Sequence, residues 1–309
     1  MNTGAVSLGW IMQPALFDTP AGVAPGDIRV AREMVAANER HVALARAAGF
    51  DTIWVEDHMG WGDKAHLECF THMAWLAGRH PGLRYGTMVC GQGFRNPAYL
   101  AKLAANMALL TDNRFILGIG AGNNPGEHRE YGYPFAPPGE RVAQTEEAIR
   151  ICRALWTESP ATFEGSHYRI HGAFSSPLPD APLPLMVGGG GPRMLRLVAR
   201  HADWWCADVS DVETFAARSK TLDAQCAAEG RDPASITRSI ATWVSVEDDS
   251  RRATRWPDLH IVAGNPDEVA AELRAFREAG VSHFMLRFMN YPDSAGFERF
   301  VAKVLPQLG

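Results

Sequence analysis

The sequence predicts an α/β protein of one architecture, a parallel (β/α)8 TIM barrel with insertions after the fourth strand and around the seventh. Three observations carry that prediction. Eight short apolar runs rich in β-branched and aromatic residues recur along the chain, at 5–11, 52–56, 84–89, 115–120, 184–187, 203–207, 238–244 and 283–288, separated by turns and longer segments of helical period. The junction Arg46-Ala-Ala-Gly49-Phe50 ahead of the second run returns as Arg277-Glu-Ala-Gly280-Val281 ahead of the eighth, each with a glycine placed to end a helix in the left-handed conformation. The 309 residues, 46% of them hydrophobic, suffice for a barrel core, so residues 1–309 are expected to form a single domain.

Between the runs, helical periodicity is clearest over 28–48, 99–110, 140–156, 192–199, 212–229 and 266–279. Strand followed by helix, repeated eight times, is the pattern of a parallel barrel, whose active site is built at the C-terminal strand ends. The chief irregularity is 158–183, where Ala161 to Ile170 reads as two short strands turning at Glu164-Gly165. A second, charged excursion at 247–260 reads as a surface loop near the seventh strand.

The chemistry therefore has to be sought just past each run. After the second run stands Glu56-Asp57-His58-Met59-Gly60-Trp61. An imidazole titrates near neutrality and a carboxylate can fix its tautomer, but Asp57 serves His58 only if the strand has already turned into a loop. The residues alone leave a catalytic histidine and a surface-turn histidine both open. The third run ends in Gly86-Thr-Met-Val-Cys90-Gly-Gln-Gly93, whose glycines mark either a loose turn or close approach of a ligand. The fourth runs into Gly118-Ile-Gly120-Ala-Gly122-Asn-Asn-Pro-Gly126-Glu127-His128. That segment lacks the third glycine and the immediate helix of a nicotinamide dinucleotide fold, which excludes the Rossmann reading.

The fifth run gives Val187-Gly188-Gly189-Gly190-Gly191-Pro192-Arg193 and then a helix. Four glycines let backbone N–H groups close on an anion, Pro192 suits a first helical position, and Arg193 can add a charged contact to a phosphate. A plain turn would not need four residues that cost so much folding entropy. Of the nine tryptophans, Trp10 and Trp61 lie next to strand ends and are expected to wall a substrate pocket with Met12; the rest are expected to pack.

Composition narrows the functional class. A net charge of -5 with scattered Lys and Arg offers no footprint for nucleic acid. No run is long enough to span a membrane and the N-terminus lacks a signal-peptide pattern, so a cytoplasmic location is expected. The five cysteines are odd in number without C-x-x-C spacing, and are expected to be reduced core thiols. His72, His80, His128, His167, His171 and His201 share no metal-binding spacing, so no metal is expected.

With these positions in hand, the chain resembles the luciferase-like family of flavin and deazaflavin oxidoreductases over nearly its full length. The resemblance is carried by Asn113-Arg-Phe-Ile-Leu-Gly-Ile-Gly-Ala-Gly122, Glu127, Tyr131-Gly132, Pro137-Pro-Gly-Glu-Arg141 and Ala154-Leu-Trp156. Phe163-Glu-Gly165, His167-Tyr168 and the Val187 to Arg193 loop make it similar to the branch that uses coenzyme F420.

The resemblance implies an enzyme that transfers a hydride between F420 and a small organic substrate, with His58 beside the reactive ring edge and Asp57 next to it. Met88, Val89, Gly120, Gly122 and Asn123 would crowd the ring, and Val187, Gly188 to Gly191 and Arg193 would hold the tail. It also implies a cis peptide not involving proline at Met88-Val89, and a homodimer. Sugar-phosphate dehydrogenases of the family place a carboxylate directly after the Gly-x-Gly of the fourth strand, where this chain has Asn123, so the resemblance does not extend to that activity. Two alternatives stay open: an FMN-dependent monooxygenase of the same fold, and a flavin-binding protein without turnover.

Overall fold

The computed structural model describes residues 6–16, 19, 22–207, 211–247 and 261–309. Its strands are β1 (Ser7–Ile11), β2 (Thr52–Val55), β3 (Arg84–Thr87), β4 (Cys90–Gly91), β5 (Phe115–Gly120), β6 (Ala161–Glu164), β7 (Arg169–Ala173), β8 (Leu185–Gly188), β9 (Trp204–Ala207), β10 (Thr237–Val246), β11 (Ile261–Gly264) and β12 (His283–Phe288). Its helices are α1 (Ile28–Ala47), α2 (Cys69–Arg79), α3 (Pro97–Leu110), α4 (Pro125–Glu130), α5 (Pro138–Thr157), α6 (Pro192–His201), α7 (Val212–Ala228), α8 (Pro266–Glu278) and α9 (Ala295–Arg299).

Eight of the strands close a parallel barrel in the order β1, β2, β3, β5, β8, β9, β10, β12, the last pairing back to β1. All eight correspond to the eight apolar runs. The third run is cut after Thr87, because the Met88–Val89 peptide is cis and the short β4 resumes pairing with β5 beyond it. The expected hairpin is present as the antiparallel pair β6–β7, closed by a Gly165 N–H to Tyr168 carbonyl hydrogen bond. Most of the excursion at 247–260 lies outside the described residues; β11, just beyond it, adds to β10 alongside the barrel.

Gly49 and Gly280 have φ of +86° and +110°, the left-handed helix ends expected of them. Helix α2 is absent from the periodicity reading, because an imidazole, His72, stands in its otherwise apolar buried face.

Strand alternation divides the core into two layers. Ile11, Trp54, Ile116, Met186, Cys206 and Met285 fill the barrel interior, while a larger set that includes Trp10, Ile53, Phe115 and Val187 packs the strands against the helices. Trp54 lies across the interior because its neighbours are glycines: a Cβ on Gly9 would stand 2.2 Å from the indole Nε1, and one on Gly86 would stand 2.3 Å from the six-membered ring. The indole N–H donates to His283 Nε2 at 2.9 Å, and His283 Nδ1 lies 2.7 Å from the Ser7 hydroxyl. All five cysteines are free and buried. Among the described residues no helix is long and apolar enough to cross a membrane.

Candidate active site

A cavity of about 710 Å³ opens at the C-terminal strand ends. That size is in the range of small-molecule and cofactor sites. Its walls come from the ends of β2, β3, β5, β8, β9 and β10: Glu56, Asp57 and His58; Met88, Val89 and Cys90; Gly120 to Asn124; Gly188 and Gly189; Cys206 and Ala207; Ala241 and Trp243. Glu127 and His128 of α4 and Arg218 of α7 line it too, with Gly91, Phe94 and Met194.

His58 follows β2 where the chain has left the strand, and its ring is held from the side. Its Nδ1 lies 3.0 Å from Glu127 Oε2. Glu127 is nearly fully buried, and its other oxygen accepts from the Met59 and Gly60 backbone N–H groups. An ionised carboxylate accepts only, so Nδ1 carries the proton and Nε2 is the nitrogen left for the cavity. Asn124 caps α4 by accepting from the Glu127 N–H at 3.1 Å, which aims the carboxylate across the gap. The Trp61 ring meets the imidazole edge to face, with centroids 4.8 Å apart. His66 reaches the His58 carbonyl and the Pro14 carbonyl at 2.9 Å each, tying the loops after β1 and β2 together.

Asp57 does not orient His58. Adjacent side chains diverge, and the Asp57 carboxylate turns to Arg95, which donates to it at 2.6 and 2.8 Å, and to the Gly91 N–H at 3.1 Å. Both side chains are nearly buried, so the pair anchors the loop behind the cavity rather than serving the imidazole.

The glycines make one wall. A Cβ on Gly120 or Gly188 would come within 2.8 and 2.9 Å of a Val89 methyl, so glycine lets Val89 rise between the two strand ends. Gly189 is fixed by its carbonyl, which accepts from the Trp205 indole at 2.8 Å. Helix α6 then opens on Gly191 without a side-chain cap, leaving N–H groups of its first turn for another acceptor. Arg218 lies over Gly190, with Nη1 2.4 Å from where a Cβ would be, and it also lines the cavity.

Several expected positions fall elsewhere. Gly190 and Gly191 belong to the loop but not to the cavity lining; Val187 is fully buried, facing the helices. Arg193 is exposed and turns toward Gly139, at the start of α5. Trp10 and Met12 do not reach the cavity. Strand alternation turns Trp10 outward, where it stacks on His41 of α1 at 5.7 Å, and Met12 is buried in the same outer layer. Trp61 touches the site through His58. Arg218 and Arg95 escaped the sequence reading, Arg218 because it stands in the regular helix α7 and Arg95 because it stands in the short link before α3; Trp243 was expected only to pack.

An apolar slot between Met88, Val89, Ala207 and Trp243, with an uncapped helix start and an arginine at one end, fits a planar ring bearing an anionic tail. The His58 imidazole lines the same cavity. Fold and site together define a barrel enzyme whose cavity opens at the C-terminal strand ends.

The chain belongs to the luciferase-like monooxygenase family, whose sequence pattern matches residues 16–258. It is an oxidoreductase of that family. It is 28% identical to the F420-dependent glucose-6-phosphate dehydrogenase of Kineococcus radiotolerans, over 85% of this chain and 90% of that one. It is also 28% identical to the enzyme of the same name from Intrasporangium calvum, over 87% and 93%. The fold is shared with an F420-dependent secondary alcohol dehydrogenase in complex with an F420-acetone adduct, at TM-score 0.83, 20% identity and coverage of 99% and 100%. It is shared also with the EDTA monooxygenase of Chelativorans sp. BNC1, at TM-score 0.78, 18% identity and coverage of 99% and 93%.

Proposed function

We propose that this oxidoreductase moves a hydride between coenzyme F420 and a small organic substrate, with His58 giving or taking the accompanying proton. The observation that carries the proposal is the Glu127–His58 contact, which fixes one ring nitrogen and leaves Nε2 for the cavity. The F420-dependent relatives support the choice of coenzyme.

F420, when bound, supplies a deazaflavin carbon that exchanges a hydride. The chain's own residues do the rest. Met88, Val89, Gly120, Gly122 and Asn123 offer a surface for the ring. Gly188 to Gly191, the start of α6 and Arg218 offer N–H groups and a positive charge for the tail, with Arg193 at the outer margin. Glu127 stabilises the imidazolium when His58 holds the proton.

Asn123 is an amide and cannot release a proton as a carboxyl does, so glucose 6-phosphate is expected to be a poor substrate despite the names of the relatives. A second reading, an FMN-dependent monooxygenase, is favoured by the shared fold of the EDTA monooxygenase. Purification from a host that makes both coenzymes separates the two. Copurifying F420, whose absorption lies at shorter wavelength than that of FMN, is the expected result; FMN bound in its place would move the protein to the second reading.

A further inference from the structure

Glu56 ends the second run two residues before His58 and lines the same cavity. Its carboxylate meets Arg287 of β12, whose Nη2 lies 2.7 Å from Oε2. The guanidinium carbon stands 4.8 Å from the centroid of Trp243, another lining residue. Arg287 is 5% exposed, so its charge is balanced inside the barrel or not at all.

The contact is ionic rather than a directed hydrogen bond: no donor is aligned on Oε2, and Arg287 Nε has no acceptor. The second carboxylate oxygen is not among the buried atoms left without a partner, and the Glu56 side chain stays 17% exposed, so that oxygen can be reached from the cavity. Glu56 therefore offers an acceptor to a donor group of any molecule that enters the cavity.

We propose that Glu56, held in place by Arg287, is a second polar anchor for the substrate, and that it accepts a hydrogen bond from a neutral hydroxyl remote from the reacting carbon. The inference rests on the hydride-transfer reading, in which His58 serves the reacting end. The charges around the anchor select its guest. An ammonium group would be drawn to Glu56 but would face Arg287, which already offsets that charge. A phosphate gains no net countercharge either, since Glu56 and Arg287 balance each other. A hydroxyl satisfies the free oxygen without adding charge. The substrate class is therefore an uncharged, mostly apolar molecule with a hydroxyl beyond the one that is oxidised.

The test uses trans-1,4-cyclohexanediol, cyclohexanol and glucose 6-phosphate as probes, titrated calorimetrically into the F420-loaded enzyme. The wild type is expected to bind the diol about tenfold or more tightly than the monool, the scale of a hydrogen bond to a charged group. Glu56→Ala should bring the two alcohols level, and Glu56→Gln, whose amide oxygen still accepts, should keep part of the preference. Because Glu56→Ala strands the Arg287 charge, the double variant Glu56→Leu/Arg287→Met, which removes both charges, is measured beside it and should also level the alcohols.

Equal binding of diol and monool by the wild type, a preference that survives both Glu56→Ala and the double variant, or tighter binding of glucose 6-phosphate would each overturn the proposal. Fluorescence titration of F420 into the same variants should give a Kd within about threefold of wild type. A wild type that does not bind F420 would overturn the hydride-transfer reading instead, while the diol preference is still read on the coenzyme-free protein.

Discussion

Each end of the barrel pairs a histidine with a tryptophan, and the rings meet almost alike: His283 and Trp54 at 5.6 Å and 69°, His58 and Trp61 at 4.8 Å and 63°. What differs is the partner of each remaining nitrogen. At the floor, Trp54 donates to His283 Nε2 and the Ser7 hydroxyl meets Nδ1, so both nitrogens are spent and the ring is fully buried. Burial pushes the His283 pKa down to about 4, and an added proton would set an N–H against the Trp54 N–H. At the mouth, Glu127 takes one nitrogen of His58 and the cavity receives the other. The same residue pair builds a neutral strut in one place and, in the proposed reaction, a proton carrier in the other, and the surrounding hydrogen bonds set the difference.

Three experiments would break or sharpen that contrast. The largest effect is expected at the mouth: His58→Ala should lower kcat by roughly 10²-fold or more, the scale of a lost general acid or base. Its thermal midpoint and F420 affinity should stay near wild type. Unchanged turnover would remove His58 from the chemistry.

At the floor the outcome should reverse. His283→Ala leaves the Trp54 N–H buried without an acceptor, and denaturant unfolding should show a loss of about 2–3 kcal/mol with kcat near wild type. A collapse of kcat without loss of stability would undo the contrast.

The smallest effect is in pH. His283 and His72 are both held at about 4 by burial, below the ordinary 6.5. The unfolded chain therefore takes up protons before the folded one. The stability that these residues contribute is full above pH 6.5 and is lost as the pH falls toward 4. Between pH 7 and 5.5 each should account for about 1 kcal/mol, and His283→Ala should flatten the acid limb of a denaturant series by that amount. An identical limb in the variant would show that burial does not hold this ring neutral.

The barrel was legible in the sequence because each strand is a compact apolar run punctuated by glycine or proline, and that local signal survives without knowledge of neighbours. His58 and the glycine loop were legible for the same reason, being conspicuous at strand ends. Their partners were not. Glu127 stands 69 residues from His58, and its own surroundings, Asn124-Pro125-Gly126-Glu127, read as an ordinary helix start. Asp57 looked like the partner because it is adjacent, yet adjacency on an extended chain sends it toward Arg95. Trp10 looked like a pocket wall because it ends a strand, but the two-residue alternation of that strand sends it to α1. Position along the chain identified which segments reach the site, and only the packing of distant segments decided which side chains enter it.

Trp54 has one more consequence. Seated between Gly9 and Gly86, it stops the barrel like a cork, with Ile11, Ile116 and Met186 packed around it. Among the described residues the barrel interior below the cavity is therefore filled, and a ligand cannot thread through the barrel from its N-terminal end.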